Sequence, residues 1–504
     1  MSSNKVAKNT LVLYIRMFLI MGMTLYTSRV ILNALGEEDF GIYNIVGGVV
    51  LLFSFLNTAM TSATQRYLNI ELGKNDINSM NDIFCKSMTI HIFIAILIII
   101  LGETIGLFFL NTQLNIPPER IVAANYVYQF SILTFCLQVI RVPYNATIIA
   151  YEKMTFYAYT TIVEVCLKLG IVYALLFYTK DRLILYSLLF FMVILIINIV
   201  YKIYCQQKFS TCKYKFFWSY SSYKDLLNFS GWSLFGNMSN VAVQQGINIF
   251  INIFFGVLLN AAVGIANQVS NAIYSFVSNF QVAFNPHLVK TYSSGNIKST
   301  RELIYQLSRF SFFLYFIIAL PFFICTDFLL EKWLGIVPQY AGIFTRLILI
   351  FLLIDCISAP LIITTQAIGN IKKYQLTVGI ITLFNLPLSY LALHYNYAVE
   401  IVWVIRILIN IILFGYRIIY IKDRISISIS LFLRDVIVPI LYIIILSSLI
   451  PGFLYLYYAT RMNWFSFIII GATSVMCSLT FIYYTGLKKL EQEKINNFIK
   501  KYSR

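Results

Sequence analysis

The sequence is built around apolar runs of about twenty residues, such as His91 to Leu110 and Leu183 to Val200. A helix of that length crosses the ~30 Å hydrocarbon layer of a membrane. In lipid the backbone must satisfy its own polar groups, which leaves α-helices or a closed β-barrel. The runs lack strict alternation of apolar and polar residues, so helices are predicted. Only 12% of the 504 residues are charged and 59% are hydrophobic, whereas soluble domains carry roughly 25% charged residues. An all-α polytopic membrane protein is the expected class.

Fourteen spans are predicted, at residues 10–32, 41–63, 88–110, 121–142, 155–179, 183–204, 228–255, 258–283, 303–326, 340–364, 374–393, 397–420, 434–458 and 463–485. The first run is not followed by a small-residue cleavage site, so it reads as a span and not as a signal peptide. Lysine and arginine collect on alternate loops. With the amino terminus inside, 28 of the 38 fall on the inner side, five on the outer side and five within spans. By the positive-inside rule, both termini are expected in the cytoplasm. This also accounts for the net charge of +17. A nucleic-acid partner would need a basic patch on a soluble face. The eight cysteines and three histidines form no metal or redox motif.

The chain repeats itself. Pro143, Ala150, Tyr157 and Tyr173 recur as Pro360, Ala367, Tyr374 and Tyr390 at one fixed offset, and Gly41 and Gly73 recur as Gly264 and Gly295. Spans 1–6 and 7–12 therefore read as two six-helix lobes, parallel repeats about an axis along the membrane normal, with two extra C-terminal helices. The expected divisions are residues 1–205, a cytoplasmic linker at 206–225, a second lobe at 226–425, and helices 13 and 14 with a basic tail at 426–504.

Polar residues inside spans are costly and therefore informative. Span seven carries Ser233, Asn237, Asn240, Gln244, Asn248 and Asn252, and span eight carries Asn267, Asn271, Tyr274, Ser278, Gln281 and Asn285. The spacing of three and four confines the first set to about 120° of one helix face. Such stripes are either the wall of a wet cavity or hydrogen-bonding glue between helices. The charged in-span residues are Arg16, Arg29, Glu103, Glu164, Lys168, Arg346, Asp355 and Arg406. Glu164 and Lys168 are four apart and suited to pair on one helix face. Arg29 is expected to face substrate or, alternatively, to pair with Glu37 or Asp39. Arg16 shares a face with Arg29 only if the helix bends, and Gly22 lies between them.

The stretch Ser28-Arg29-Val30 through Leu35-Gly36-Glu37-Glu38-Asp39-Phe40-Gly41-Ile42-Tyr43 resembles the first-loop signature of Wzx-type polysaccharide and O-antigen flippases. These are members of the multidrug/oligosaccharidyl-lipid/polysaccharide exporter superfamily. Phe229-Ser230-Gly231-Trp232, Phe255-Gly256, Asn285-Pro286 and Trp333-Leu334-Gly335 with Pro338 are similar to its second lobe. The resemblance implies alternating access around a central cavity, in the bacterial cytoplasmic membrane. Its implied cargo is an undecaprenyl-diphosphate-linked oligosaccharide for O-antigen, lipopolysaccharide or capsule synthesis. It further implies a monomer working beside polysaccharide polymerase machinery, with no cofactor beyond a coupling proton or sodium ion. Arg29, Arg16 and Arg406 are then the cavity cations expected to meet the diphosphate, with Asn237, Gln244, Asn248, Asn267 and Asn271 lining the cavity. Asp355, Glu164 and Lys168 are the candidates for ion coupling. The rival reading is cation-coupled multidrug efflux on the same fold, which normally uses buried carboxylates. Spans one, two, seven and eight contain none. A membrane enzyme would need a large external loop with an acid–base constellation. No external loop exceeds roughly twenty residues, so no catalytic residue is expected.

Overall fold

In the computed structural model, the apolar runs are helices; two of the breaks fall at glycines and some of the starts at capping side chains. The structure describes residues 3–54, 64, 68, 77–151, 153–216, 220–293, 295–368, 371–458, 462–493 and 496, without the side chains of 3–17, 220–234 and several single positions. Among the described residues the helices include α1 (Ser3–Leu51), α2 (Ile77–Leu101), α3 (Ile121–Ala150), α4 (Met154–Leu176), α5 (Arg182–Lys208) and α6 (Tyr220–Phe255). Then come α7 (Val257–Ser293), α8 (Ile297–Ile324), α9 (Thr326–Leu334), α10 (Ala341–Ile368), α11 (Ile371–Leu383) and α12 (Asn385–His394). The chain ends with α13 (Ile401–Ile425), α14 (Val438–Tyr458) and α15 (Trp464–Phe481). Ten helical segments among the described residues are long and apolar enough to span a membrane. The chain is a multi-pass α-helical membrane protein.

Local chemistry explains the ends. Asp181 caps α5 by accepting from the amides of Leu183 and Ile184, and Asn296 caps α8 through Ser299. Such caps satisfy orphan amides of the first turn. The break in α1 falls at Gly36 (φ 82°, ψ 170°), a backbone region essentially reserved for glycine. Gly22 is helical, so the bend expected there lies fourteen residues later, and Arg16 lies outside the described side chains.

The repeat is also visible in the order and bounds of the helices. α3 and α4 correspond to α10 and to α11 with α12. Pro143 and Pro360 lie inside α3 and α10, and their carbonyls accept from Thr147 at 2.9 Å and Thr364 at 2.7 Å. Gly36 splits α1 as Gly256 (φ 80°) separates α6 from α7. Gly41 and Gly264 also behave alike. A Cβ on Gly41 would run into the Val257 carbonyl, and one on Gly264 into the Asn44 side chain.

By packing, the chain divides into two compact units, residues 1–264 with 375–399, and residues 265–374 with 400–504. In the first, Ile42, Ile45 and Val49 of α1 pack with Ile98 of α2 and with Val127, Tyr128 and Ile132 of α3. One end of the unit is held by Arg120, which donates to Asp39 at 2.8 and 2.7 Å and to Asp181 at 2.8 and 3.3 Å. Burial raises the Asp39 carboxyl above its ordinary value even against Arg120. Burial pushes Asp181 the same way, but the bonds from Arg120 and from the α5 amides outweigh it and hold that carboxyl low. The 209–216 segment docks on α2, where Asn81 donates to the carbonyls of Thr211 and Lys213 at 2.8 and 2.9 Å. In the second unit, Phe312 and Phe316 of α8, Leu361 of α10 and Ile421 of α13 form a core with Phe432 and with Ile440 and Ile443 of α14. The two extra helices are thus integral to that core.

Candidate functional site

The first unit holds a charged cluster at the centre of its helices. On α3, Ser131, Thr134, Gln138 and Arg141 recur every three or four residues and so share a face. Arg141 Nη1 donates to Glu164 Oε2 at 3.1 Å, and Lys168 Nζ donates to Glu164 Oε1 at 2.7 Å. The Lys168 ammonium also lies 4.7 Å from the Phe190 ring centre, and the Arg141 guanidinium 5.4 Å from that of Tyr201. Two cations therefore share one carboxylate and leave the cluster with a net positive charge. Phe190 also lines a cavity of about 220 Å³ with Tyr43, Ser131, Thr134, Gln138 and Ser187. Its wall is mixed, with hydroxyls and an amide among rings.

Arg29 lies half-buried in α1 and has no hydrogen-bond or ion-pair partner among the described residues. The Asp39 carboxylate, its possible neutraliser, is held by Arg120 instead. One turn before Arg29, the hydroxyls of Tyr26 and Tyr173 meet at 2.6 Å and tie α1 to α4.

The polar stripe of α6 divides into two parts. Near its end Asn248 is 8% exposed and accepts from Asn260 Nδ2 at 2.6 Å. Asn252 is fully enclosed, donates to Asn260 Oδ1 at 3.0 Å and accepts from the Asn115 amide at 2.8 Å. This part is glue, fastening the turn at Gly256. Asn237 is half-buried, whereas Asn240 and Gln244 are exposed. On α7, in the second unit, Asn267 is half-buried and Asn271 exposed.

The second unit brings Asp355 of α10 to Tyr274 of α7, whose hydroxyl donates to Oδ2 at 3.1 Å. Arg406 of α13 lies over the Phe351 ring at 4.4 Å and the Trp403 ring at 5.4 Å, with the Asp355 charge acting on it from beyond ion-pair distance. Asp355 and Arg406 thus share a neighbourhood without forming a contact pair. Arg346 pairs with Asp327 at 2.7 Å, and Glu103 accepts from Gln129 at 3.1 Å.

Three arginines counted with the inner-side charges, although the expected spans 121–142, 303–326 and 397–420 contain them, lie inside helices. Arg141 is the cluster's third member. Arg309, 2% exposed, donates to the Gly486 carbonyl at 2.7 Å and to Glu491 at 2.8 Å. Arg417 of α13 is 7% exposed.

Neither a protein-family model nor a curated protein matches the sequence. Solved structures do match. An inward-facing multidrug resistance MATE family transporter of the MOP superfamily superposes with a TM-score of 0.66 at 14% identity, over 80% of this chain and 94% of that one. The lipid II flippase MurJ, in an inward closed conformation, gives 0.64 at 13% identity, over 94% of this chain and 98% of its own. The fold is that of the MOP superfamily transporters. A Pyrococcus furiosus member, described by the reverse polarity of its binding pocket, gives 0.62 at 14% identity over 83% of this chain and 96% of that one.

Proposed function

We propose that the protein is a flippase that carries a polyprenyl-diphosphate-linked oligosaccharide across the bacterial cytoplasmic membrane by alternating access. The product would feed O-antigen or capsule synthesis. One observation carries this reading: the charge balance of the spans favours an anion. The Glu164 carboxylate is shared by two cations, whereas the Arg29 and Arg406 guanidinium groups have no carboxylate within ion-pair distance among the described residues. A guanidinium fork meets phosphate oxygens in pairs. The match to the lipid II flippase over 94% of the chain, against 80% for the MATE transporter, supports the same reading. The lobes of this mechanism are residues 1–205 and 226–425, with both termini in the cytoplasm.

The first experiment deletes the gene in its host and follows lipid-linked glycans. Build-up on the cytoplasmic leaflet with loss of a surface polysaccharide is expected. Arg29→Ala should reduce flipping without reducing folded protein, and unchanged flipping would refute the role given to Arg29.

Cation-coupled efflux of small molecules is the second reading, favoured by the Asp355 carboxylate beside Tyr274. In the flippase reading, that carboxylate takes the coupling proton or sodium ion. Binding of a cationic dye in competition with protons, abolished by Asp355→Asn, would move the assignment to efflux.

A further inference from the structure

Arg417 lies eleven residues after Arg406 and seven before Arg424 on α13. At 100° per residue the three positions fall within about 20° of each other around the helix. At 1.5 Å per residue they extend along about 27 Å of its axis, close to the ~30 Å depth of the hydrocarbon layer. Trp403 and Asn410 share this face and are buried, at 2% and 3% exposure. The opposite side presents Leu408, Ile411, Ile412 and Ile419, all exposed. The arginine line is thus turned towards protein, and the apolar residues are left for lipid.

The environment of Arg417 is unusual for a cation. Its Nε and Nη1 are enclosed and have no hydrogen-bond partner among the described residues. No carboxylate lies within ion-pair distance of it among the described residues. On the same helix Tyr416 and Tyr420 lie 6.2 and 5.2 Å from the ring of Tyr374, and the Arg424 guanidinium lies 4.9 Å from Tyr420. An uncompensated buried guanidinium is costly, and its planar fork is matched by the oxygens of a phosphate.

We propose that Arg417 is an anion-binding position that takes a phosphate group. It is the rung between Arg424 and Arg406 on a line of arginines along which the diphosphate head of a lipid carrier passes. The proposal rests on the flippase reading. The same chemistry would also suit the phosphodiester of an anionic membrane lipid, so the test separates the two sources.

Full-length protein is reconstituted in nanodiscs of zwitterionic lipid, and binding of a short-chain prenyl diphosphate is measured for wild type, Arg417→Met, Arg417→Lys and Arg29→Ala. Arg417→Met is expected to weaken binding roughly tenfold or more. Arg417→Lys should fall between, because the charge stays and the fork is lost. Without ligand, Arg417→Met should unfold at or above the wild-type temperature, since an apolar side chain replaces an unpaired buried charge. If it does not fold, Arg417→Lys carries the comparison. Equal affinities of the Arg417 variants and wild type would overturn the proposal while leaving the flippase reading intact. A wild type that binds no prenyl diphosphate, with Arg29→Ala indistinguishable from it, would instead sink the flippase reading. If phosphatidylglycerol nanodiscs raise the wild-type unfolding temperature but not that of Arg417→Met, and prenyl diphosphate has no effect, the anion site stands and its occupant is membrane lipid.

Discussion

Replacing Glu164 with glutamine tests the charge accounting of the first unit most sharply. The carboxylate receives Lys168 at 2.7 Å and Arg141 at 3.1 Å, and the three side chains are 14%, 26% and 20% exposed. Removing one partner of a fully buried pair costs about 3–5 kcal/mol, while an exposed pair contributes about 0–1 kcal/mol. The observed exposures fall between these limits. Glu164→Gln leaves two neighbouring cations with no anion, so a loss of about 2–3 kcal/mol is expected. Lys168→Met leaves a neutral Arg141–Glu164 pair and should cost about 1 kcal/mol or less. The assay is the unfolding midpoint of the purified protein in mixed micelles titrated with denaturing detergent, at fixed protein concentration. Equal losses for the two variants, or a more stable Glu164→Gln, would refute the claim that this carboxylate holds a surplus of positive charge in place.

At Arg120 the arithmetic is reversed, with one cation between two carboxylates. Arg120→Gln should cost about 2 kcal/mol at neutral pH. Burial already raises the Asp39 carboxyl, and losing Arg120 raises it further and removes one cause of the lowered Asp181 value, so at Asp39 the folded state then holds a proton that the unfolded state releases. The loss is therefore present at neutral pH and shrinks as pH falls through the raised folded values. Unfolding midpoints that diverge from wild type on acidification would contradict this. Gly36→Ala meets no atom within 4 Å but must adopt φ 82° and ψ 170°, an expected cost of about 1–3 kcal/mol in thermal unfolding. Gly41→Ala drives a Cβ into the Val257 carbonyl and should cost about as much or more by overpacking. Helical Gly170→Ala, with open space around it, should gain about 0.5–1 kcal/mol, and a loss there would undercut both attributions.

The spans and the repeat were legible because hydropathy and proline spacing are local signals. Positions inside the helices were less so. Reading each basic residue as a loop marker assumes that helices end at the hydrocarbon boundary. α3 has 30 residues and α13 has 25, and at 1.5 Å each both exceed the ~30 Å layer. Arg141 and Arg417 therefore belong to helices. The bend was sought at Gly22, between two arginines, but the decisive glycine is the one before the acidic Glu37–Asp39 turn, where Asp39 is held by Arg120. Spacing of four revealed the Lys168 partner of Glu164, whereas Arg141, on another helix, left no such signal. The α6 stripe was legible as polar but not as divided, because the bonds of Asn248 and Asn252 depend on Asn260, which lies beyond the turn at Gly256.

The contrast between compensated and uncompensated charge carries the functional argument further than any single residue. Where charge fastens this protein, each cation has a carboxylate partner: Arg120 has two, Arg346 has Asp327 and Arg309 has Glu491. Arg29, Arg406 and Arg417 depart from that pattern, with aromatic rings beside Arg406 and enclosed, unbonded donors on Arg417. A folded state is stable by only about 5–15 kcal/mol, so several unpaired guanidinium groups within helices are a heavy structural burden. Structure alone offers no return for that burden, because an apolar side chain at each position would pack at lower cost. A travelling anion, as proposed, would offer one by neutralising these groups in turn during transport. A cationic cargo would add like charge to the same positions and raise the cost at every step, so the sign of the uncompensated charge argues for an anionic head.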